Sequence, residues 1–324
     1  MSEARAFWTV APGRGELRSE SLPDPGPDEV LVRTLYSGVS RGSETLVFTG
    51  RVPVSQAETM RAPHQAGALP GPVKYGYASV GEVEAGPDDL RGRPVFCLYP
   101  HQDAYVVAAE AVVPLPDGLP PERAVLAANM ETAVTGLWDG APGPGDRIAV
   151  IGAGTVGCLV AALAARIPGS VVTLIDVQSE KRTIAEALEV GFAAPEDAPR
   201  DCDLVFHASG APEGLVTALS LAGLEARVVE LSWFGDREVT LPLGADFHAK
   251  RLTLRSSQVS KLPPERSPRW SHRRRLALAL DLLADSRHDV LISGESPFAE
   301  LPEVMARLAD APPGVLCHRI RYRE

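Results

Sequence analysis

Short apolar runs separated by glycine and proline turns fill the first third of the chain. Those at residues 30–35, 78–83, 94–98 and 104–107 predict strands and give that third an all-β pattern. Near residue 141 the pattern changes: apolar strands alternate with helical stretches until about residue 259. Runs at 147–151, 171–175, 203–208, 227–231 and 252–257 read as parallel strands, and 213–221 reads as a crossover helix between two of them. A basic, proline-punctuated connector follows residue 261. After it come a helix over 273–284, another near 303–308 and a closing strand over 315–322.

The densest information lies in DRIAVIGAGTVGCLVAALAARIPGSVVTLID, from Asp146 to Asp176, which reads as strand, loop, helix and second strand. Gly152, Gly154 and Gly157 supply the GxGxxG spacing. The first glycine permits a tight turn, the second lets the backbone approach a pyrophosphate, and the third lets helix and strand pack closely. The helix opens at Thr155 and Val156, whose amides face the phosphates with the positive end of the helix dipole. Asp176 ends the second strand nineteen positions after Gly157, where a carboxylate accepts both ribose hydroxyls and repels a 2′-phosphate. NAD is therefore expected ahead of NADP.

Composition fits a cofactor enzyme. At 324 residues the chain is too long for one ordinary core, so two domains are expected. A formal charge of −10 argues against nucleic acid as a partner, because phosphate backbones are bound through excess lysine and arginine. The opening MSEARAFWTVAPGRGE lacks an apolar signal region and no run approaches the length of a membrane span, so a cytoplasmic protein acting on a small molecule is expected. Cys97, Cys158, Cys202 and Cys317 lie far apart without a CxxC pair, which suggests neither a cysteine-rich zinc site nor a disulfide framework.

Four passages, SGVSRGSETLVFTGRVP from Ser37, KYGYASVGEVEAG from Lys74, the glycine loop, and NMETAVTG from Asn129, resemble the medium-chain dehydrogenase/reductase superfamily. The resemblance covers nearly the whole chain. It implies an α/β protein in which a Rossmann domain, a doubly wound parallel sheet over 126–260, is inserted into a β-rich GroES-like catalytic domain made of 1–125 and 261–324. It also implies a homodimer, a form common among relatives. The passage from Ser37 to Pro53 looks most like the zinc-poor branch that includes bacteriochlorophyllide dehydrogenases, where an SGxSxGTE pattern replaces the metal motif.

The departures from the zinc-dependent pattern shape the expected chemistry. Where zinc alcohol dehydrogenases carry a cysteine ligand this chain has Ser40, and where they read GHE it has Gly76, Tyr77 and Ala78. Glu131 matches an acidic position near the metal in polyol dehydrogenases, but one carboxylate does not hold a catalytic zinc, which needs three protein ligands. No catalytic zinc is expected. By the same resemblance Arg41 falls where an arginine meets the pyrophosphate, and Lys181 where a lysine reaches the adenosine ribose. Loops at the strand ends, carrying Ser209 and Ser232, are expected to line the cofactor cleft.

Without zinc, proton transfer and charge stabilisation fall to side chains or water. Tyr77 is a candidate donor to a developing oxyanion, or an aromatic filler of the vacated metal space. His101 is a candidate general acid or base, because imidazole titrates near neutrality, or a surface loop residue. Glu131 is a candidate to orient a base or bind a substrate hydroxyl, or else a helix cap or structural carboxylate, while Ser40, Ser43 and Glu44 are candidates to hydrogen-bond the substrate or one another, Glu44 by itself reading as structural. Lys261, Arg266, Arg269, Arg273, Arg274 and Arg275 form a basic cluster that reads either as a steering patch for an anionic substrate or as a solvated connector. Trp270 reads as an anchor for the returning chain. Three functions stay open: an NAD-dependent alcohol–ketone oxidoreductase on a polar, ring-bearing or open small molecule; a metal-free reductase of activated double bonds; and a non-catalytic NAD sensor.

Overall fold

A computed structural model describes residues 2–310, 312 and 314–323. The chain divides into two units, one comprising Met1–Ala128, Leu276–Asp285 and Ile292–Glu324, the other Asn129–Arg275 and Ser286–Leu291.

Two sheets build the first unit. The larger runs in the order Ile292–Pro297, Cys317–Arg321, Glu29–Val39, Ser79–Ala85, Pro94–Cys97 and Val112–Pro114, with Ala104–Ala108 also pairing along Glu29–Val39. Its inward positions alternate along each strand: Val30, Val32, Val83, Val95, Tyr105, Val107 and Val112 meet in one buried cluster. The smaller sheet joins Arg14–Leu22, Ser2–Ala11, Val73–Lys74 and Ala66–Gly67. The helix Leu301–Ala309 turns Leu301, Val304, Met305 and Leu308 to one side, a stripe spaced three and four apart that packs against Phe7, Phe48 and Ile320. Burying those four side chains contributes roughly 1.5–3 kcal/mol each.

The second unit is a six-stranded parallel sheet. Its order is Gly191–Ala193, Val171–Ile175, Arg147–Ile151, Cys202–His207, Ala222–Glu230 and Thr253–Ser256. In chain order this is third, second, first, fourth, fifth, sixth, the doubly wound arrangement in which direction reverses between the first and fourth strands. Strands buried on both faces carry unbroken apolar runs such as Ile148–Ala149–Val150–Ile151, all buried. Helices Thr155–Ala164 and Pro212–Leu221 supply crossovers.

The expected strands at 147–151 and 171–175 are found with the same ends. The strand expected at 227–231 begins earlier, at Ala222, with a register shift against its neighbour. Several elements had no counterpart in the sequence reading, among them the hairpin of Ser2–Ala11 and Arg14–Leu22, the helices Arg41–Phe48 and Ala127–Gly140, and the strand Ile292–Pro297. The connector after residue 261 was expected with the catalytic domain, but the structure groups it through Arg275 with the parallel sheet. The reason is side-chain packing: Arg275 pairs with Glu131, and Trp270 stacks at 4.8 Å on Trp138, both partners lying on the helix Ala127–Gly140. Trp270 is an anchor, as its sequence context suggested. Among the described residues no helix is long and apolar enough to cross a membrane.

Candidate functional site

The glycine loop sits where the strand order of the parallel sheet reverses, after Arg147–Ile151. Gly152 adopts φ +99°, and a Cβ on it would fall 2.6 Å from the Ser209 backbone. A Cβ on Gly157 would fall 1.9 Å from the Gly152 carbonyl oxygen. Backbone blocks both, so neither position accepts a side chain. Gly154 is different, because a Cβ there meets no heavy atom within 4 Å. It opens onto free space at the N-terminus of the helix Thr155–Ala164, which no side chain caps. The first-turn amides of Thr155 and Val156 therefore face a space that suits an anion. The loop fits a dinucleotide pyrophosphate.

Asp176 braces that loop. Its Oδ2 accepts the Ala153 amide at 2.7 Å and its Oδ1 the Gln178 amide at 2.9 Å. Each oxygen keeps a second lone pair, enough to accept from ribose hydroxyls. Lys181 is buried, at 4% exposure. Its positive charge and the negative charge of Asp176 act in opposite directions on the Cys158 thiol, which burial pushes up to about 12. Cys158 is core packing beneath the loop. Ser209 and Ser232 follow adjacent strands, and Ser232 Oγ accepts the Gly210 amide at 3.1 Å, tying one loop to the other.

In the first unit, a second cluster forms where the strand Glu29–Val39 runs into the helix Arg41–Phe48. Glu44, in the helix's first turn, accepts the Ser40 amide on Oε1 at 2.7 Å. Its Oε2 lies 2.8 Å from His101 Nε2, with both side chains 1% exposed. A carboxylate only accepts, so Nε2 carries a proton towards it; Nδ1 lies 2.7 Å from the Ser37 hydroxyl, which lies 3.0 Å from the Tyr322 hydroxyl. Gly76 makes room for the ring: at φ +133° a Cβ would lie 2.9 Å from His101 Cδ2. Expected as a general acid or base or as a surface loop residue, His101 is buried with both ring nitrogens engaged.

Tyr77 lies at the open side of this cluster. Its hydroxyl bonds the Ser43 hydroxyl, Ser40 also bonds it, and its ring meets Tyr75 edge-on at 5.9 Å. Desolvation pushes the phenol up to about 12, helped by the charge of Glu44 and opposed by the two serine hydroxyls. Tyr77 is half-buried, whereas Glu44 and His101 are buried. Arg41 donates to the Pro312 carbonyl at 3.3 Å.

Glu131 belongs to the other unit. Its Oε1 receives Arg275 Nε at 3.0 Å, and Arg275 also donates to Thr135 Oγ1 and the Val259 carbonyl. Desolvation raises the Glu131 carboxyl, and Arg275 offsets part of that rise. Arg275 thus leaves the expected basic patch for the core, while Arg274 lies over the Trp270 ring and Arg266 over Trp138. Among the described residues, no three histidine, cysteine or acidic side chains converge to hold a metal ion. One pair went unread in the sequence: His207 Nδ1 and Glu230 Oε2, 2.7 Å apart at the ends of neighbouring strands. The available signal was a polar residue closing each of two apolar runs.

No family model matches the chain. The 2-desacetyl-2-hydroxyethyl bacteriochlorophyllide A dehydrogenase of Rhodobacter capsulatus is 31% identical over 220 residues, covering 61% of this chain and 63% of the relative. Its counterpart in Cereibacter sphaeroides is 30% identical over 235 residues, covering 64% of this chain and 68% of the relative. The match thus spans a little under two thirds of the first relative and just over two thirds of the second. In fold, the chain is similar to L-idonate 5-dehydrogenase from Escherichia coli, with a TM-score of 0.80 at 15% identity over 99% of both chains. With a parallel sheet and a β-rich unit arranged as the sequence motifs implied, the chain belongs to the medium-chain dehydrogenase/reductase superfamily.

Proposed function

We propose that the chain is an NAD(H)-dependent oxidoreductase that interconverts a ketone and an alcohol on a polar small molecule without catalytic zinc. The observation that carries this reading is the Tyr77 hydroxyl, bonded to Ser43 and Ser40 where zinc-dependent relatives place metal ligands. The glycine loop and Asp176 support a dinucleotide, and the Asp176 charge favours NAD over NADP. The nicotinamide, when bound, supplies or accepts the hydride.

The chain's own residues then have to manage one proton and one developing negative charge. A phenol held near 12 is ionised in only about one molecule in 10⁵ at pH 7, so Tyr77 acts as a donor and not as a base. That suits reduction, in which a carbonyl oxygen gains charge and then a proton. Tyr77 gives its proton to the carbonyl oxygen, and its phenolate, stabilised by the Ser43 and Ser40 hydroxyls, takes a proton back from solvent water; the buried Glu44–His101 pair fixes the helix start that carries both serines. His101 is thus a positioning residue behind the donor. A homodimer belongs to the same proposal and is checked by light scattering.

The test is NADH oxidation with a panel of polar ketones and of conjugated enones, before and after dialysis against a chelator. Ketone reduction that survives chelation is expected. Activity lost on chelation and restored by zinc overturns the metal-free reading. Turnover of enones alone makes the chain a double-bond reductase, and tight NADH binding without turnover makes it a sensor.

A further inference from the structure

His207 closes the fourth strand of the parallel sheet with a side chain that is wholly buried. Its Nδ1 lies 2.7 Å from Glu230 Oε2, at the end of the adjacent strand, and its Nε2 lies 2.6 Å from Ser209 Oγ. Because the carboxylate only accepts, Nδ1 carries the proton that faces Glu230. With a single proton on the ring, Nε2 accepts the Ser209 hydroxyl, giving a continuous line from Glu230 through His207 to Ser209. Such chains of hydrogen bonds polarise one another inside a protein.

Other contacts fasten the same two loops. Glu230 Oε1 accepts the Ser232 amide at 2.6 Å, Ser209 Oγ accepts the Ala211 amide at 3.1 Å, and Arg237 donates to the Gly210 carbonyl at 2.6 Å. Phe234 stacks on the His207 ring with centroids 6.0 Å apart. The helix Pro212–Leu221 makes room at Gly214, where a Cβ would lie 2.6 Å from His207 Nε2 and 2.4 Å from Ser209 Oγ. A buried histidine held at both nitrogens would be ordinary core chemistry in most places. Here its loop touches the phosphate loop itself, since the Ser209 backbone is what bars a side chain from Gly152.

We infer that the Glu230–His207–Ser209 relay is a positioning device for the second mononucleotide of the cofactor. In a doubly wound sheet each half binds one mononucleotide, and strands four and five belong to the half that does not hold Asp176. The relay sets the loops at 208–211 and 231–234 against the glycine loop, so that the nicotinamide half meets a preformed surface. His207 touches neither substrate nor cofactor in this role. The inference rests on the dinucleotide reading above.

The test titrates full-length protein with NADH and, separately, with ADP, which lacks the second mononucleotide. Ser209→Ala removes the exposed end of the relay. His207→Asn keeps a donor towards Glu230 and loses the acceptor for Ser209. Both variants are expected to raise the Kd for NADH about tenfold and to leave the Kd for ADP unchanged. His207→Gln, which offers an acceptor at the distal position, is expected to recover part of the loss. Unchanged NADH affinity in a folded Ser209→Ala protein overturns the relay, as does an equal loss for NADH and ADP, which marks general unfolding. If the unaltered protein binds neither ligand, the dinucleotide reading falls and the relay's role falls with it.

Discussion

His101 Nε2 donates to Glu44 Oε2 over 2.8 Å in a space from which water is excluded, both side chains being 1% exposed. The pair joins the loop after Cys97 to the first turn of the helix Arg41–Phe48. Replacing Glu44 by Ala strands the His101 donor and the Ser40 amide together. A loss of about 3 kcal/mol in unfolding free energy is expected from breaking such a buried pair. Glu44→Gln retains an acceptor and should lose clearly less. Urea denaturation of the two variants measures both, and equal stability in Glu44→Ala would show that the pair does not brace the site.

Tyr77→Phe keeps the ring against Tyr75 and deletes only the hydroxyl. Turnover should fall by about 10²-fold or more, the usual contribution of a positioned proton donor. KM for the ketone should change little. Ser43→Ala leaves the phenol in place and should have a smaller effect. Steady-state kinetics on both variants decide the matter, and a Tyr77→Phe enzyme with unaltered turnover would move the donor elsewhere.

Burial of the phenols gives alkaline stability a definite sign. Tyr77 is held up to about 12, and Tyr75, Tyr105 and Tyr322 are also raised, chiefly by desolvation. In the unfolded chain these groups ionise near 10. Between about pH 10 and pH 12 the unfolded state therefore binds fewer protons than the folded state, and stability declines as pH rises. Thermal melts should hold steady from pH 7 to 9 and drop from pH 10 upward. Tyr77→Phe should shallow that drop without moving the neutral melting temperature far.

The glycine loop separates folding from binding at neighbouring positions. Gly157→Ala forces a Cβ against the Gly152 carbonyl, so it should lower the melting temperature and abolish NADH binding together. Gly154→Val meets no protein atom within 4 Å at its Cβ. It should melt like the parent and still lose NADH affinity about tenfold or more, because the added side chain fills the space left for phosphate. Fluorescence titration paired with a melt distinguishes the two. A Gly154→Val protein that binds NADH normally would place the cofactor somewhere else.

Local patterns carried the parts of this chain whose physics is local. The strands at 147–151 and 171–175, the glycines between them and Asp176 all lie within thirty-one residues, and each has a task set by its immediate neighbours. The hairpin over Ser2–Ala11 and Arg14–Leu22 escaped because ELRSESL is polar at nearly every position; half-exposed strands of this kind show no apolar alternation. His101 looked like a loop histidine because its partner Glu44 is fifty-seven positions away, and Arg275 looked like part of a solvated patch because Glu131 is 144 positions away. Ion pairs that distant leave no periodic trace.

Glu131 and Arg275 supply the last prediction, and its sign is less obvious than that of the others. The pair is buried, with side chains 3% and 4% exposed, and desolvation raises the Glu131 carboxyl in spite of the guanidinium at 3.0 Å. A carboxyl raised above its unfolded value costs stability once the pH exceeds that unfolded value, so the ion pair only partly offsets its own burial. Glu131→Ala alone leaves Arg275 uncompensated and should cost about 3 kcal/mol. Replacing both together, Glu131→Leu with Arg275→Met, removes both charges and keeps their volume; the double variant should unfold within about 1 kcal/mol of the parent. Thr135 and the Val259 carbonyl, which Arg275 also holds, lose a donor in that variant, and their lost bonds set its upper cost. If Glu131 instead serves the reaction, the double variant should fold well and lose turnover by far more than its stability changes, which the same preparation assayed with NADH and a ketone will show.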